Sequence, residues 1–326
     1  MTTNSVITPA PRASIGMCFH RTFPSATVTE FARALEVGGV DELWLIEDCF
    51  YTTAPPLAAA ALAVTDQLTV GLGILPAVAR TAAITAMEIA TLAGMAPGRV
   101  IAGIGHGVQS WMAQMGVATA SPLTTLDEVI TAVRQLLAGE TVSTRGRQVF
   151  LENVGLAQPP SPVPPVIAGV RGPKSLAHAG RHADGVLLDG PCPPAYVRWA
   201  KEQCAAGDAF EFRCFASMSI SDDRADAYRA MAPLIADLLD DGSQQLRQLP
   251  FHDELVTLYA AKGQDGLTGM PTEWWQQLGA IGTMDDALGY IAALEAEGVT
   301  GISFFPSIDI DIARSQIGQV SALARR

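Results

Sequence analysis

The chain is short of basic residues relative to acidic ones. It has 21 Lys and Arg against 33 Asp and Glu, which gives a formal net charge of −12 at pH 7 and a pI of about 4.8. Such a charge argues against a surface for nucleic acid or for an anionic membrane. Small anions remain possible ligands, because backbone amides at helix ends bind them without basic side chains.

The chain also lacks a disulfide framework and a membrane-spanning run. Its five cysteines are an odd number with wide spacing and no CxxC pair, which predicts reduced thiols and a cytoplasmic protein. The longest apolar stretch, residues 55–64, is too short and too rich in alanine to cross a bilayer. Residues 1–13 contain no long apolar core, and we expect them to form a flexible N-terminal arm.

What the chain does have is a regular alternation of strand-like and helix-like segments, with 49% hydrophobic residues to build a large core. Eight strands are predicted, at residues 14–19, 42–46, 68–72, 100–104, 165–168, 185–188, 210–218 and 301–305. Eight strands with helices between them predict an α/β fold, a (β/α)8 TIM barrel that forms a single domain over residues 14–326. A doubly wound open sheet is the alternative, but no GxGxxG motif follows the first strand.

Two segments depart from this alternation. Residues 142–152 have the pattern of a hairpin that turns at Arg145-Gly146. Residues 222–282 contain several helical patterns and a loop, GQDGLTGMP, without an obvious strand. We interpret residues 222–282 as a helical insertion between barrel strands seven and eight.

The most informative segment is RVIAGIGHGVQSWMAQMG, residues 99–116, in which a buried strand runs directly into Gly105-His106-Gly107. Ligands of parallel α/β proteins bind at the carboxyl ends of the strands, and glycines there let the backbone approach a ligand closely. These three residues therefore predict part of a binding site. The alternative is a tight turn with an incidental histidine.

Two further strand ends carry candidate site residues. Glu47 and Asp48 follow the second strand, where they could orient a cofactor or handle protons; otherwise Asp48 caps the next turn and Glu47 is solvated. Gly73 interrupts the third strand as a bulge would, although a simple strand end before Pro76 fits as well.

An anion site is predicted where the fifth strand ends. The loop consists of Gly169, Val170, Arg171, Gly172, Pro173 and Lys174. Pro173 suits the first turn of a helix, whose free N–H groups and dipole attract a phosphate. The alternative is an ordinary strand-to-helix turn with exposed basic residues.

For two other groups of residues the sequence predicts structural roles. Cys18, in the first strand, suits core packing. His178 and His182 lie four residues apart on one helical face, but the sequence offers no HExxH pattern and no third ligand nearby. We therefore predict no metal site.

Taken together, these segments carry a resemblance to a known family. The ordered set GVDELWLIEDCFY, LTVGLGI, MAPGRVIAGIGHG, PVIAGVRGPKSLAHAGRHADGVLL and IGTMDDALGYIAALEAEGVTGISFF resembles the bacterial luciferase-like superfamily. Within that superfamily it is similar to the group of coenzyme F-420-dependent methylene-tetrahydromethanopterin reductases. The resemblance covers residues 14–324. It implies a TIM barrel that binds a deazaflavin or FMN at the carboxyl ends of its strands, and a homodimer.

The resemblance also implies roles for individual residues. A cis peptide bond at Gly73–Ile74 would support the cofactor ring, and the loop from Gly169 to Lys174 would hold the cofactor phosphate. Gly105, His106 and Gly107 would line the pocket.

Three departures from the family argue against assigning a substrate known for the family to this chain. Cys18 stands where the reductase has Glu, Glu47-Asp48 where many members have Asp-His, and Val108 where a sugar-phosphate dehydrogenase has Glu. We therefore expect hydride transfer between coenzyme F-420 (8-hydroxy-5-deazaflavin) and another small organic substrate, with Glu47, Asp48 and His106 as candidate catalytic residues. The alternatives are an FMN-dependent luciferase-like monooxygenase and a non-catalytic flavin-binding protein.

Overall fold

The computed structural model describes residues 12–326. Residues 1–11 of the predicted arm therefore lie outside the described residues. At the end of that arm Ala13 is buried, and its N–H donates a hydrogen bond of 2.9 Å to Glu295 Oε1. The strands are β1 Ser14–Phe19, β2 Glu42–Ile46, β3 Thr69–Pro76, β4 Val100–Gly105, β5 Val142–Arg145, β6 Phe150–Val154, β7 Val166–Gly169, β8 Gly185–Leu188, β9 Glu211–Ile220, β10 Ala280–Gly282 and β11 Gly301–Phe305. The α-helices are α1 Val28–Gly38, α2 Ala54–Leu62, α3 Ala82–Met95, α4 Gln109–Gln114, α5 Pro122–Leu137, α6 Pro173–His182, α7 Pro194–Cys204, α8 Arg224–Asp240, α9 His252–Leu267, α10 Thr272–Leu278, α11 Met284–Ala296 and α12 Ile310–Ala324.

Eight parallel strands of residues 12–326 close into a barrel, in the order β1-β2-β3-β4-β7-β8-β9-β11 and back to β1. Closure is made by β11, whose Gly301 pairs with Ser14 of β1. An open doubly wound sheet is therefore excluded, and the predicted (β/α)8 barrel is confirmed. Among the described residues no helix is both long enough and apolar enough to cross a membrane.

The strands are apolar on both faces because one face packs against the helices and the other fills the barrel. In β2, Leu43 and Leu45 pack in the outer core, whereas Trp44 and Ile46 point into the barrel. The inward residues form a cluster that we call the barrel plug. Its members are Cys18, Trp44, Ile46, Ile101, Ile167, Leu187 and Phe215.

The two segments that depart from the alternation lie outside the barrel. The hairpin is confirmed as the antiparallel pair β5 and β6. The insertion is confirmed as helical and has its own core, in which the rings of Tyr228 and Trp275 stack with centroids 4.8 Å apart. Asp286 of α11 connects it to the barrel, since its carboxylate accepts hydrogen bonds from Arg224 at 2.7 Å and Gln276 at 2.8 Å.

Two details of the insertion differ from the sequence prediction. The segment without an obvious strand ends in β10, a three-residue strand that pairs in parallel with β9 at Met218. The predicted loop GQDGLTGMP is helical as far as Leu267, because α9 resumes after a break at Gly263, where φ is 61°. Both errors arise because short strands and glycine-rich helical ends depend on tertiary contacts that local pattern does not record.

Candidate active site

The carboxyl ends of the barrel strands form a mouth with an apolar floor. Ile74 and Phe305 are partly buried and pack on the barrel plug, and the Phe305 ring meets Phe215 edge-on with centroids 5.0 Å apart. Cys18 lies fully buried in the plug, and burial raises the pKa of its thiol. Cys18 is therefore a protonated packing residue, as the sequence analysis favoured.

The irregularity predicted in the third strand is present. Pairing between β3 and β4 shifts between Leu72 and Leu75, and the Gly73–Ile74 peptide bond is cis. A Cβ at Gly105 would lie 2.0 Å from Ile74 Cδ1, and a Cβ at Gly169 would lie 2.7 Å from Ile74 Cγ2. These two glycines therefore admit the side chain of Ile74, which extends the apolar floor between β4 and β7.

The loop predicted to bind an anion leads into α6 as a helix start without a side-chain cap. Gly172 is the N-cap residue, Pro173 is in the first turn, and Gly172 makes no side-chain capping bond because it has no side chain. The N–H groups in the first turn of a helix have no intrahelical acceptor. A Cβ added to Gly172 would meet no atom within 4 Å, so the space in front of this helix start is open. The arrangement fits a bound phosphate.

His106 lies beside this helix start and contacts it directly. Its Nε2 is 2.9 Å from Ser175 Oγ, and its Nδ1 is 3.3 Å from the carbonyl oxygen of Pro122. A carbonyl only accepts, so Nδ1 carries the proton and Nε2 accepts from the Ser175 hydroxyl. Burial lowers the pKa of His106, which favours this neutral form. Gly107, the next residue, has φ of 70° and so needs to be glycine.

Glu47 is buried and engaged on both carboxylate oxygens. Arg80 donates to Oε1 at 2.5 Å and to Oε2 at 2.9 Å, and the N–H of Ala54 donates to Oε2 at 2.9 Å. Arg80 also pairs with Glu88 at 2.9 Å. Glu47 thus connects the end of β2 to the start of α2 and to the loop after β3.

Asp48, the next residue, is half-buried and lies among different partners. Its Oδ2 accepts a 2.7 Å hydrogen bond from Arg21, which follows β1. The Arg21 guanidinium also lies 4.9 Å from the centre of the Tyr51 ring. Asp48 therefore belongs to the loops around the mouth, whereas Glu47 belongs to the packing beneath them.

Asp189 is a mouth residue that the sequence analysis missed. It follows β8 directly, and its Oδ2 lies 3.4 Å from Arg171 NH1. Arg171 is thereby directed towards β8 and not towards the start of α6. Asp189 could have been found from its position, because it is a carboxylate immediately after the apolar strand GVLL. The same kind of position identified Glu47 and Asp48 after β2.

Exposed apolar side chains lie on the rim of the mouth. Five exposed apolar side chains lie on loops that follow the carboxyl ends of β2, β4 and β11: Phe50, Tyr51, Val108, Met115 and Ile308. The loops after β2 and β4 touch each other, since Cys49 Sγ lies 4.0 Å from Met115 Sδ. A second non-prolyl cis peptide bond, Cys49–Phe50, occurs in this rim.

Comparisons with known proteins agree with this architecture. The family model described as luciferase-like monooxygenase matches residues 5–301. A 5,10-methylenetetrahydromethanopterin reductase from Methanolobus tindarius is 30% identical over 311 residues, which is 89% of this chain and 93% of the relative.

Solved structures of relatives share the fold. The coenzyme F-420-dependent tetrahydromethanopterin reductase from Methanopyrus kandleri superposes with a TM-score of 0.78 at 20% identity, over 95% of this chain and 98% of that one. An F-420-dependent secondary alcohol dehydrogenase, solved with an F-420–acetone adduct, superposes with a TM-score of 0.73 at 17% identity, over 97% and 100% of the two chains. The chain therefore belongs to the bacterial luciferase-like family of enzymes.

Proposed function

We propose that this protein is an oxidoreductase that transfers a hydride between coenzyme F-420 and a small, uncharged organic substrate. The observation that carries the proposal is the pairing of an uncapped helix start at Gly172 with an apolar floor of Ile74 and Phe305. A phosphorylated cofactor with a flat ring requires both features. The Methanolobus tindarius relative and both neighbouring structures act in the same class of chemistry according to their names.

The proposed roles in cofactor binding follow from these contacts. When bound, the deazaflavin supplies the ring carbon that carries the hydride. The first-turn N–H groups of α6 would bind the phosphate, and Ile74 would support one face of the ring. His106 would position the start of α6 through Ser175, because both of its ring nitrogens are already engaged.

Proton handling is assigned to Asp48 in this proposal. Asp48 is half-buried at the mouth, where Arg21 holds it by a single 2.7 Å hydrogen bond. Glu47, by contrast, is buried with both oxygens bound, so its role is to position the loops. A carboxyl group within reach of substrate is a suitable proton donor or acceptor when a carbonyl and an alcohol interconvert.

The substrate class follows from the rim. Two cations of the mouth are paired with carboxylates, Arg21 with Asp48 and Arg171 with Asp189. A third, Lys174, lies in the first turn of α6, where the cofactor phosphate is proposed to bind. A phosphorylated substrate would find no free guanidinium in these two pairs, whereas an apolar molecule would contact Phe50, Tyr51 and Met115. This arrangement favours an uncharged substrate with apolar surface over a sugar phosphate.

The association state and location are proposed on separate grounds. Ile84, Met87 and Met95 of α3 are exposed apolar residues beside α2, and we propose that this face packs against a second copy of the chain. Light scattering would then give the mass of two chains. The cysteines of the described chain are free thiols, which supports a cytoplasmic location, and the acidic charge supports the absence of a nucleic-acid partner.

Hydride transfer can be distinguished from oxygenation directly. Reduced coenzyme F-420 labelled with deuterium at C5 would be mixed with a panel of apolar ketones and aldehydes, with and without oxygen. The proposal expects an alcohol that carries one deuterium at carbon in both conditions. A product that contains oxygen from O2 and forms only with reduced FMN would identify the monooxygenase alternative. Binding without any turnover across a broad panel of substrates would favour the non-catalytic alternative.

A further inference from the structure

We propose that Asp127, His178 and His182 form a binding site for a divalent transition-metal ion between α5 and α6. The two histidines lie one turn apart on the same face of α6, and Asp127 faces them from α5. One ligand atom from each residue lies within 4.8 Å of the other two. None of these three residues is among those proposed to bind the cofactor, and the metal site does not depend on the proposed function.

The three side chains already contact one another. His178 Nδ1 forms a hydrogen bond with Asp127 Oδ2, and the rings of His178 and His182 have centroids 6.2 Å apart with an interplanar angle of 35°. Ligand atoms around a tetrahedral zinc ion with bonds of about 2.0–2.1 Å lie about 3.4 Å apart. The ligand atoms, which lie within 4.8 Å of one another, therefore need to approach by about 1.4 Å at most to reach that separation.

The side chains at the site are only partly buried, as expected for an ion that exchanges with solvent. The side chain of His178 is 29% exposed and that of Asp127 is 19% exposed. An ion can therefore enter from solvent, and its remaining coordination positions would be filled by water. Partial burial also restrains the side chains, which lowers the entropy lost when they bind an ion.

The donor set selects the class of metal. Two imidazole nitrogens and one carboxylate oxygen suit zinc, cobalt or nickel, whereas calcium and magnesium prefer oxygen ligands alone. The carboxylate of Asp127 offsets part of the ion's charge. The nearby guanidinium of Arg134 is occupied, because it donates to the carbonyl oxygen of His182 at 2.9 Å and pairs with Asp184.

The sequence alone predicts no metal site at His178 and His182, because no third ligand lies near them in the chain. Asp127 precedes His178 by 51 residues and lies on a different helix, so only the packing of α5 against α6 makes it a neighbour. A bound ion would join these two helices one turn beyond Ser175, the residue that contacts His106.

Metal binding to the untagged, chelator-treated protein tests the proposal. We expect one Zn2+ per chain with a Kd of about 10 µM or tighter by calorimetry. Cobalt should give the intense visible bands of a tetrahedral site. At hundredfold excess over Kd, zinc should raise Tm by roughly 4 °C.

Three variants make the test specific. His182→Gln and Asp127→Asn should each weaken zinc binding by about tenfold or more, because each removes one of three ligands. His182→Gln leaves the hydrogen bond of His178 with Asp127 in place, so its Tm without metal should match that of the wild type. His20→Gln, a histidine outside the site, should bind zinc as the wild type does. The proposal is overturned if the wild-type chain fails to bind zinc, or if it binds zinc equally well after either ligand is removed; Asp127 and His178 would then form a structural hydrogen bond only.

Discussion

At the scale of single residues, Glu47 and Asp48 show how two adjacent carboxylates acquire different surroundings. Successive residues leaving a strand point to opposite sides. Glu47 is buried against Arg80 and the N–H of Ala54, whereas Asp48 reaches Arg21 at the mouth. The sequence identified both residues, but the choice between them depends on Arg80, which lies 33 residues away in the chain.

Matched amide substitutions at these two positions should therefore have different effects. Asp48→Asn removes the proposed proton-handling group, so we expect turnover to fall by about 10²-fold with cofactor affinity retained. Glu47→Gln breaks a buried ion pair, so we expect the free energy of unfolding to fall by about 3 kcal/mol. Steady-state kinetics and urea denaturation of both variants measure these effects. If Glu47→Gln were stable but inactive and Asp48→Asn fully active, the two assignments would be reversed.

At the scale of secondary-structure elements, the start of α6 is the part of the molecule that we propose binds the cofactor phosphate. The helix begins without a side-chain cap, in front of open space at Gly172, and Ser175 in its first turn contacts His106. A phosphate placed here would satisfy the free N–H groups and interact favourably with the helix dipole.

Substitutions at this element should alter cofactor affinity more than turnover of the bound complex. Gly172→Asp places a negative charge in front of the helix start, and we expect the Kd for coenzyme F-420 to rise about tenfold or more. Gly207→Asp is the matched control, because Gly207 also has open space around it but precedes β9 at the opposite end of the barrel. His106→Ala should raise the Kd as well, through the loss of the Ser175 contact. A large loss of turnover with unchanged Kd in His106→Ala would instead identify His106 as a catalytic proton donor.

At the scale of the whole molecule, the barrel was predictable because its strands alternate with helices in a strongly apolar sequence. A buried strand such as Val100–Gly105 can be predicted from its own apolar residues, without knowledge of the strands that pair with it. For the same reason, the carboxyl ends of the predicted strands indicated where the mouth of the barrel lies. What local pattern did not reveal were contacts between distant segments: the pairing of β10 with β9, the Arg171–Asp189 pair and the position of Asp127 beside His178.

Glycine patterns were predicted to mark the site, and at two positions the structure shows a packing role for the glycine. Gly105 was expected to let the backbone approach a ligand closely, and Gly169 to begin the loop that binds a phosphate. In the structure the space beside both is filled by Ile74. The sequence could not distinguish the two cases, because a glycine makes room for any neighbour, whether ligand or side chain.

Competitive binding of two cofactors to the purified protein is the most direct test of whether the barrel uses coenzyme F-420. Coenzyme F-420 and FMN would be titrated separately and in competition, with ligand fluorescence as the readout, and any ligand carried through purification would be released and identified by mass spectrometry. We expect one coenzyme F-420 to bind per chain, at least about tenfold more tightly than FMN. Tighter binding of FMN, or binding of neither molecule by the folded protein, would contradict this expectation.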